Sequence, residues 1–406
     1  MRFDESTLYN IYSKLNGKRY PLYDLALWKN GLAFKKIDFS DAGVPVIKIA
    51  ELNNGISGNT SYTKQIFSDD VHLKKEDLLF SWSGNPQTSI DIFKFQLQEG
   101  WLNQHIFKVT PNEEIVDRDY FYFLMKYLKP WFTQIASNKQ TTGLGHVTIA
   151  DIKRMSVLVP SLTMQKKIVD VLKPINDKIQ INASINKNLE QQAEALFHSL
   201  FVEDVNPIWK EGVLSDLGTV VAGGTPSKTK PEYYSKKGIA WITPKDLSLN
   251  KSKFISHGEI DISELGFSKS SAIKMPTGTV LFSSRAPIGY IAIAANEVTT
   301  NQGFKSVVPN ENIGTAFMYY LLKFLLPTIE GMASGSTFKE ISGAGMKSVP
   351  VVIPDNETID KFNAFCTPIF KQQEVLEVEN SRLVDIRDAL LLKLMVGELD
   401  VSDIEP

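Results

Sequence analysis

The sequence predicts an α+β chain with two mixed or largely β blocks in pseudo-twofold arrangement, joined by two long antiparallel helices. Three observations predict it. The amphipathic stretch Pro174 to Phe201 returns as Pro368 to Met395 without a gap, so that Leu189, Leu196 and Leu200 answer Leu383, Leu390 and Leu394 at a single shift of 194 residues. Strand-like runs then recur in one order in two separate blocks. Finally, 406 residues are too many for one ordinary domain and enough for two cores with helical connections.

In chain order, residues 1–19 form a polar leading arm, read as helical. The first block spans 20–160. Its short apolar or alternating runs begin at Val44 (VPVIKIAEL), Leu78 (LLFSWSG), Asn103 (NQHIFKV) and Met155 (MSVLVP), and all read as strands. YFYFLMKYLKPWFTQIAS from Tyr120 reads as a helix broken near Pro130. The second block, 207–355, repeats this order with IAWITPKDL from Ile239, TVLFSSRAPIGYIAIA from Thr279, NQGFKSVVP from Asn301, TAFMYYLLKFLL from Thr315 and SVPVVIP from Ser348. Leu22 to Leu25 answers Leu214 to Leu217, and Asn103–Gln104 answers Asn301–Gln302. Offsets drift within the blocks and settle in the helices. Loops therefore differ where recognition would occur, while the helices act as spacers.

The helical regions are 161–206 and 356–406. One seam runs through Ile175, Ile179, Asn186, Leu189, Leu196 and Leu200, the other through Ile369, Leu376, Asn380, Leu383, Leu390 and Leu394, in steps of three and four. Pro174 and Pro368 suit first helical turns. Residues 161–173 would then be a short separate helix. At about 1.5 Å per residue, helices of this length would hold whatever their two ends carry roughly 40 Å apart. Asn186 and Asn380 stand at equivalent seam positions, where they either fix register or face a docking partner.

The net charge of −2 divides into +2 over 1–160, −1 over 161–206, +3 over 207–355 and −6 over 356–406. Two mildly basic blocks are compatible with a phosphate-facing side, with a partner supplying much of the contact. No run approaches a membrane span, and MRFDESTLYN lacks a signal peptide's apolar stretch, so a cytoplasmic protein without membrane contact is expected. A single cysteine, Cys366, excludes internal disulfides and cysteine-ligated zinc. The five histidines lack metal-ligand spacing. A glycine-rich cofactor motif is missing, as is the amide-Pro-Pro-aromatic run of an amino methyltransferase, and GGTPSKT from Gly223 departs from the phosphate-loop spacing. No constellation supports catalysis by this chain alone.

Several motifs resemble the specificity subunits of type I restriction-modification systems. They are SWSGNPQTSI, GWLNQHIFKV, TTGLGHVTIADIKRM and VPSLTMQKKI in the first half, GGTPSKTKPEYY, WITPKDL, RAPIGY and TTNQGFKSV in the second, and the helix ends EALFHSLF and RDALLLKLMVGELDVSDIE. The arm at 1–19 has no match. The resemblance implies a non-catalytic subunit that binds no cofactor itself. Two methyltransferase subunits using S-adenosylmethionine would dock around the helices and modify adenine, and restriction subunits using ATP and Mg would join them. Each block would be a target-recognition domain reading one half of an asymmetric bipartite site in double-stranded DNA.

Base reading needs amides, hydroxyls and cationic side chains in loops. In the first block the candidates are Trp82, Ser83, Asn85, Gln87, Thr88, Asn103, Gln104, His105, Thr142 and His146. In the second they are Thr225, Ser227, Lys228, Thr243, Lys245, Arg285, Asn301, Gln302, Ser336 and Lys339. Arg285 leads, because a loop arginine grips guanine bidentately. Asn103–Gln104 and Asn301–Gln302 fit buried structural roles or phosphate contacts as well as base contacts. Gly223 and Gly224 would let backbone approach phosphate. Two rivals stand beside this reading: a fused methyltransferase or nuclease, which the missing motifs oppose, and a coiled-coil scaffold or adaptor with β-rich lobes that binds no DNA.

Overall fold

A computed structural model describes residues 8–140, 143–335 and 339–401. The fold is α+β. The chain divides into two compact units, Met1–Lys178 with Leu383–Pro406, and Ile179–Arg382.

In the first unit, four antiparallel strands lie in the order Ala26–Asn30, Ile106–Pro111, Leu78–Ser81, Asp91–Lys94. Leu78, Leu79, Phe80 and Ser81 are all buried. Helices Arg118–Tyr127 and Lys129–Asn138 contribute Tyr120, Phe121 and Phe132 to the same core as Phe80. Asp117 caps the first of them, its carboxylate accepting from the Asp119 and Tyr120 amides. A smaller sheet sets Val44–Ile47 parallel to Glu99–Leu102. The second unit repeats the plan. Its sheet has the order Gly218–Ala222, Lys305–Pro309, Val280–Ser284, Ile288–Ala294, Phe254–Ile255, and Trp241–Ile242 runs parallel to Thr299–Thr300. Phe282, Phe317, Tyr320, Phe362 and Cys366 fill its core.

Several expectations are corrected. The Val44 run is a strand only to Ile47; Lys48 N then donates to Glu51 Oε2 at 3.0 Å and Ile49–Asn54 coils into a helix. The Ile239 run likewise turns into helix Pro244–Leu249 behind the Thr243 cap. Thr279 to Ala294 is a hairpin whose turn holds Arg285, not one strand. Of the expected helical arm, residues 1–7 lie outside the described residues and Leu8 and Tyr9 are helical, while from Asn10 the segment pairs with strand instead. Leu8 and Ile11 are buried in the first core, Ile11 N donates to Ser156 O at 3.1 Å, and Gly17–Pro21 pairs with Ser156–Pro160. The same segment meets the end of the second long helix, Ser13 Oγ and Lys14 N each donating at 2.8 Å to the carbonyls of Met395 and Val396.

The long helices are Leu162–His198 and Asn356–Val396, with Pro174 and Pro368 inside them rather than at their starts. The helices begin earlier because local groups satisfy their first turns. Ser161 Oγ accepts from Met164 N, and Asp355 Oδ1 from Thr358 N. The turns before each proline are anchored by fully buried Ile168 and Leu172 in one helix and Ile359 and Phe362 in the other. Burying such side chains gains ~1.5–3 kcal/mol each, enough to offset the ~3 kcal/mol of an interior proline, whose ring here faces solvent.

The helices run antiparallel: in the second unit Gln373 Nε2 donates to Asn186 O and Asn380 Nδ2 to Ile179 O. Ile179, Ile369, Leu376 and Leu394 are buried, while Ile175, Leu189, Leu196, Leu200, Leu383 and Leu390 are partly so. Asn182 Nδ2 donates to Asn380 Oδ1 at 2.9 Å, so Asn380 ties the helices at one register. Asn186 contributes its backbone carbonyl.

One ionic knot joins these helices to the second sheet. Glu190 takes Lys253 and Lys323 Nζ (2.8 Å) together with the Tyr320 hydroxyl (2.9 Å), and Lys253 also donates to Gln373 Oε1 at 2.7 Å and lies 4.2 Å over the Phe370 ring. Burial alone would raise the Glu190 carboxyl. The two ammonium groups outweigh it and hold the carboxyl at about 2. Among the described residues no helix is long and apolar enough to cross a membrane.

Candidate nucleic-acid interface

Backbone hydrogen bonds at one end of the first sheet build a frame for loop side chains. Trp82 N donates to His105 O at 3.3 Å, Val147 N donates to Trp82 O at 2.8 Å, and Ser83 and Gly84 pair with His146 and Gly145. Asn103 N donates to Ile47 O, and Ile106 N closes the turn onto Asn103 O. Gly31 passes so near this turn that a Cβ would collide with the Asn103 carbonyl. The Trp82 ring stacks on Phe107 at 5.7 Å, lies 5.6 Å from His105 and donates through Nε1 to Asn30 Oδ1.

The second sheet ends in the same frame. Ser284 N donates to Gly303 O at 2.8 Å, Ile341 N donates to Ser284 O at 3.1 Å, and Arg285 bridges to Glu340. Asn301 N donates to Ile242 O, Phe304 N to Asn301 O, and Gly223 lies against the Asn301 carbonyl as Gly31 does against Asn103. Position by position, Trp82, Ser83, His105, Phe107 and His146 correspond to Ser284, Arg285, Gly303, Lys305 and Glu340. The backbone is shared and the side chains are exchanged. The first lobe supports its loops with stacked rings, the second with charges.

In the first lobe the frame gathers Trp82, Ser83, His105 and His146, the two histidines exposed. Asn85, Gln87 and Thr88 form an exposed turn in which Asn85 Oδ1 accepts from Gln87 N. Asn103 is buried. Gln104 is half-buried with its Oε1 unsatisfied. In the second lobe a cleft of ≈ 610 Å³ brings together Thr225, Lys228, Thr243, Lys245, Arg285, Asn301 and Gln302. Ser227 and Lys339 are exposed outside it. Thr142 and Ser336 lie outside the described residues.

Several of these groups are already engaged. Thr243 caps its helix, its hydroxyl 2.6 Å from Asp246 Oδ2. Glu259 pairs with Lys245 at 2.6 Å and holds that ammonium above its usual pKa. Thr225 donates to Gln302 Oε1, and Asn301 Oδ1 accepts from Gly303 N. Arg285 Nη1 lies 3.3 Å from Glu340 Oε2. The close approach at Gly223 is to the chain itself; the Gly224 Cβ position would likewise meet the backbone of Ser271 and Ala272. Sequence reasoning missed Glu340 and Lys305. The 194-residue shift carries His146 onto Glu340, but a search for loop donors passes over a carboxylate.

The surface offers hydrogen-bond donors and acceptors on rigid loops. Among the described residues no group of His, Cys, Asp and Glu is placed to hold a metal ion.

A family model described as "Type I restriction modification DNA specificity domain" matches twice, over residues 16–191 and 207–378. The type I restriction enzyme MjaIX specificity subunit of Methanocaldococcus jannaschii is 38% identical over 178 residues, 42% of this chain and 41% of that protein. That alignment thus takes in less than half of either. The HindI specificity subunit of Haemophilus influenzae is 24% identical over 405 residues, 80% of this chain and 87% of that one. The crystal structure of a type I restriction-modification S subunit from M. genitalium shares the fold, with a TM-score of 0.53 at 17% identity, covering 95% of this chain and 97% of its own.

Proposed function

The chain belongs to the type I restriction-modification DNA specificity domain family, and on that premise we propose that it is the subunit that chooses the DNA sequence for a type I restriction-modification complex. Each lobe reads one half of an asymmetric bipartite target. The observation that carries this is the shared frame: one set of backbone hydrogen bonds holds Trp82, Ser83, His105 and His146 in one lobe and Ser284, Arg285, Gly303 and Glu340 in the other. Identical scaffolds with exchanged side chains suit two readers of different half-sites. Side chains that specify bases lie at loop tips, while backbone amides and lysines place them on the duplex.

The chemistry belongs to partners. Two methyltransferase subunits, carrying S-adenosylmethionine, transfer methyl groups to adenine N6. Restriction subunits, using ATP and Mg, cleave the DNA. Exposed apolar side chains on both long helices, Ile181 and Val375 each 55% exposed among them, support methyltransferase docking on these helices.

The test is to co-express the chain with the methyltransferase of its own system and map modified adenines by single-molecule sequencing. A split motif with two different halves is expected. An assembled, active complex that methylates without sequence preference, or not at all, would return the chain to the class of structural scaffolds.

A further inference from the structure

The charged cluster around Arg285 has no counterpart in the first lobe, where Ser83, His146 and Phe107 hold the equivalent places. Glu340 Oε2 lies 3.3 Å from Arg285 Nη1, and Glu340 Oε1 lies 3.6 Å from Lys305 Nζ. Lys305 is 9% exposed and reaches Ser284 Oγ at 3.5 Å, so it anchors the carboxylate from inside the lobe. Arg285 and Glu340 keep 39% and 36% of their side chains exposed. Two opposite charges thus stand side by side at the surface, one of them clamped from within.

Resting on the reading of this lobe as a reader of one DNA half-site, we infer that Arg285 and Glu340 together read a single G·C base pair and that Glu340 is a specificity-determining residue. In the major groove guanine presents two acceptors, N7 and O6, and its cytosine presents the N4 amino donor next to O6. O6 and N4 of one pair are hydrogen-bonded to each other, hence about 3 Å apart. The donor Nη1 and the acceptor Oε2 have nearly that spacing, in the complementary order.

The other base pairs fit worse, for separate reasons. A C·G pair reverses donor and acceptors and sets like against like. A T·A pair offers Arg285 one acceptor, O4, and a methyl group where the second N–H needs N7. Its adenine N6 amino group stands where cytosine N4 would and still meets the carboxylate, so the penalty of this pair is the lost second bond of the fork. An A·T pair puts the N6 amino group against the guanidinium and O4 against the carboxylate. Only G·C satisfies the fork and the carboxylate together. Lys305 engages Oε1 and leaves Oε2 as the carboxylate oxygen beside the guanidinium.

The substitution Glu340→Gln keeps the shape and changes the acceptor pattern. An amide binds adenine bidentately through N6 and N7, so this variant is expected to admit T·A at one position. Methylation mapping of the complex with wild-type chain, Arg285→Ala and Glu340→Gln reads this directly. Both variants should relax the same base pair, a G·C in wild type, with about 5- to 150-fold loss of discrimination, corresponding to ~1–3 kcal/mol. The other half-site should stay unchanged, which also reports that the variants fold and assemble. A second measurement needs no variant. Replacing that guanine by 7-deazaguanine removes N7 and should weaken binding by the wild-type complex within the same range.

An Arg285-sensitive position other than G·C, a Glu340→Gln motif identical to wild type, or indifference to 7-deazaguanine would each overturn the base assignment while leaving the bipartite reading intact. A wild-type complex with no bipartite motif would remove the functional reading beneath it, and the base assignment with it.

Discussion

Replacing Glu190 by glutamine tests the ionic knot of the second unit. Its carboxylate compensates two ammonium groups, and one of them, Lys253, has only 6% of its side chain exposed. Glutamine leaves Lys323 its contact with Glu194 at 3.3 Å, but leaves Lys253 with the neutral Gln373, Tyr320 and Phe370 side chains and the field of Glu377, which accepts from its backbone N–H. Removing one partner of a buried pair costs ~3–5 kcal/mol, because the remaining charge stays desolvated. The acid dependence gives a second measure. A carboxyl lowered from 4.5 to about 2 contributes roughly 3 kcal/mol, fully present above pH 4.5 and lost as pH falls from there through about 2. Glutamine cannot titrate, so the gap between wild type and Glu190→Gln should narrow across that window. Urea unfolding at pH 7 and near pH 2.5, with amide exchange over residues 179–382, would read both effects. A variant within ~1 kcal/mol of wild type at pH 7, or a gap independent of pH, would refute the reasoning.

Two further predictions rest on the loop frame. Gly31→Ala and Gly223→Ala should each disable recognition by one lobe only, since the added methyl meets a carbonyl that itself closes a turn; the cost is ~1–3 kcal/mol locally, and methylation mapping would show one half-site degraded and the other kept. Thr243→Val should remove the cap of helix Pro244–Leu249 and lower stability by ~0.5–2 kcal/mol, measured by thermal unfolding of the purified complex.

The heptad seams were legible because burial along a helix repeats at a spacing that any single chain displays. The equivalence of Asn103 and Asn301 was legible too, because duplication left the same dipeptide in both turns. Pro174 and Pro368 misled, since a rule about first turns cannot weigh the packing of Ile168 or Phe362 that holds the preceding turns helical. The hairpin around Arg285 was passed over although Ser283, Ser284, Arg285, Pro287 and Gly289 interrupt the apolar run with turn formers. Arg285 itself was read as an isolated guanidinium. Its partner lies 55 residues away, and no local pattern announces an ion pair made by the closing of a sheet end. Thr243, chosen as a loop hydroxyl, carries the signature T-x-x-D, and that signature is a cap.

Ser13 and Met395 touch across 382 positions of sequence, with Lys14 bonded to Val396 beside them. The segment around Ser13 and the end of the second long helix thus clasp each other within the first unit. A backbone cut near Ile208, which is 79% exposed, leaves both halves of that clasp in place, so the two fragments are expected to stay associated.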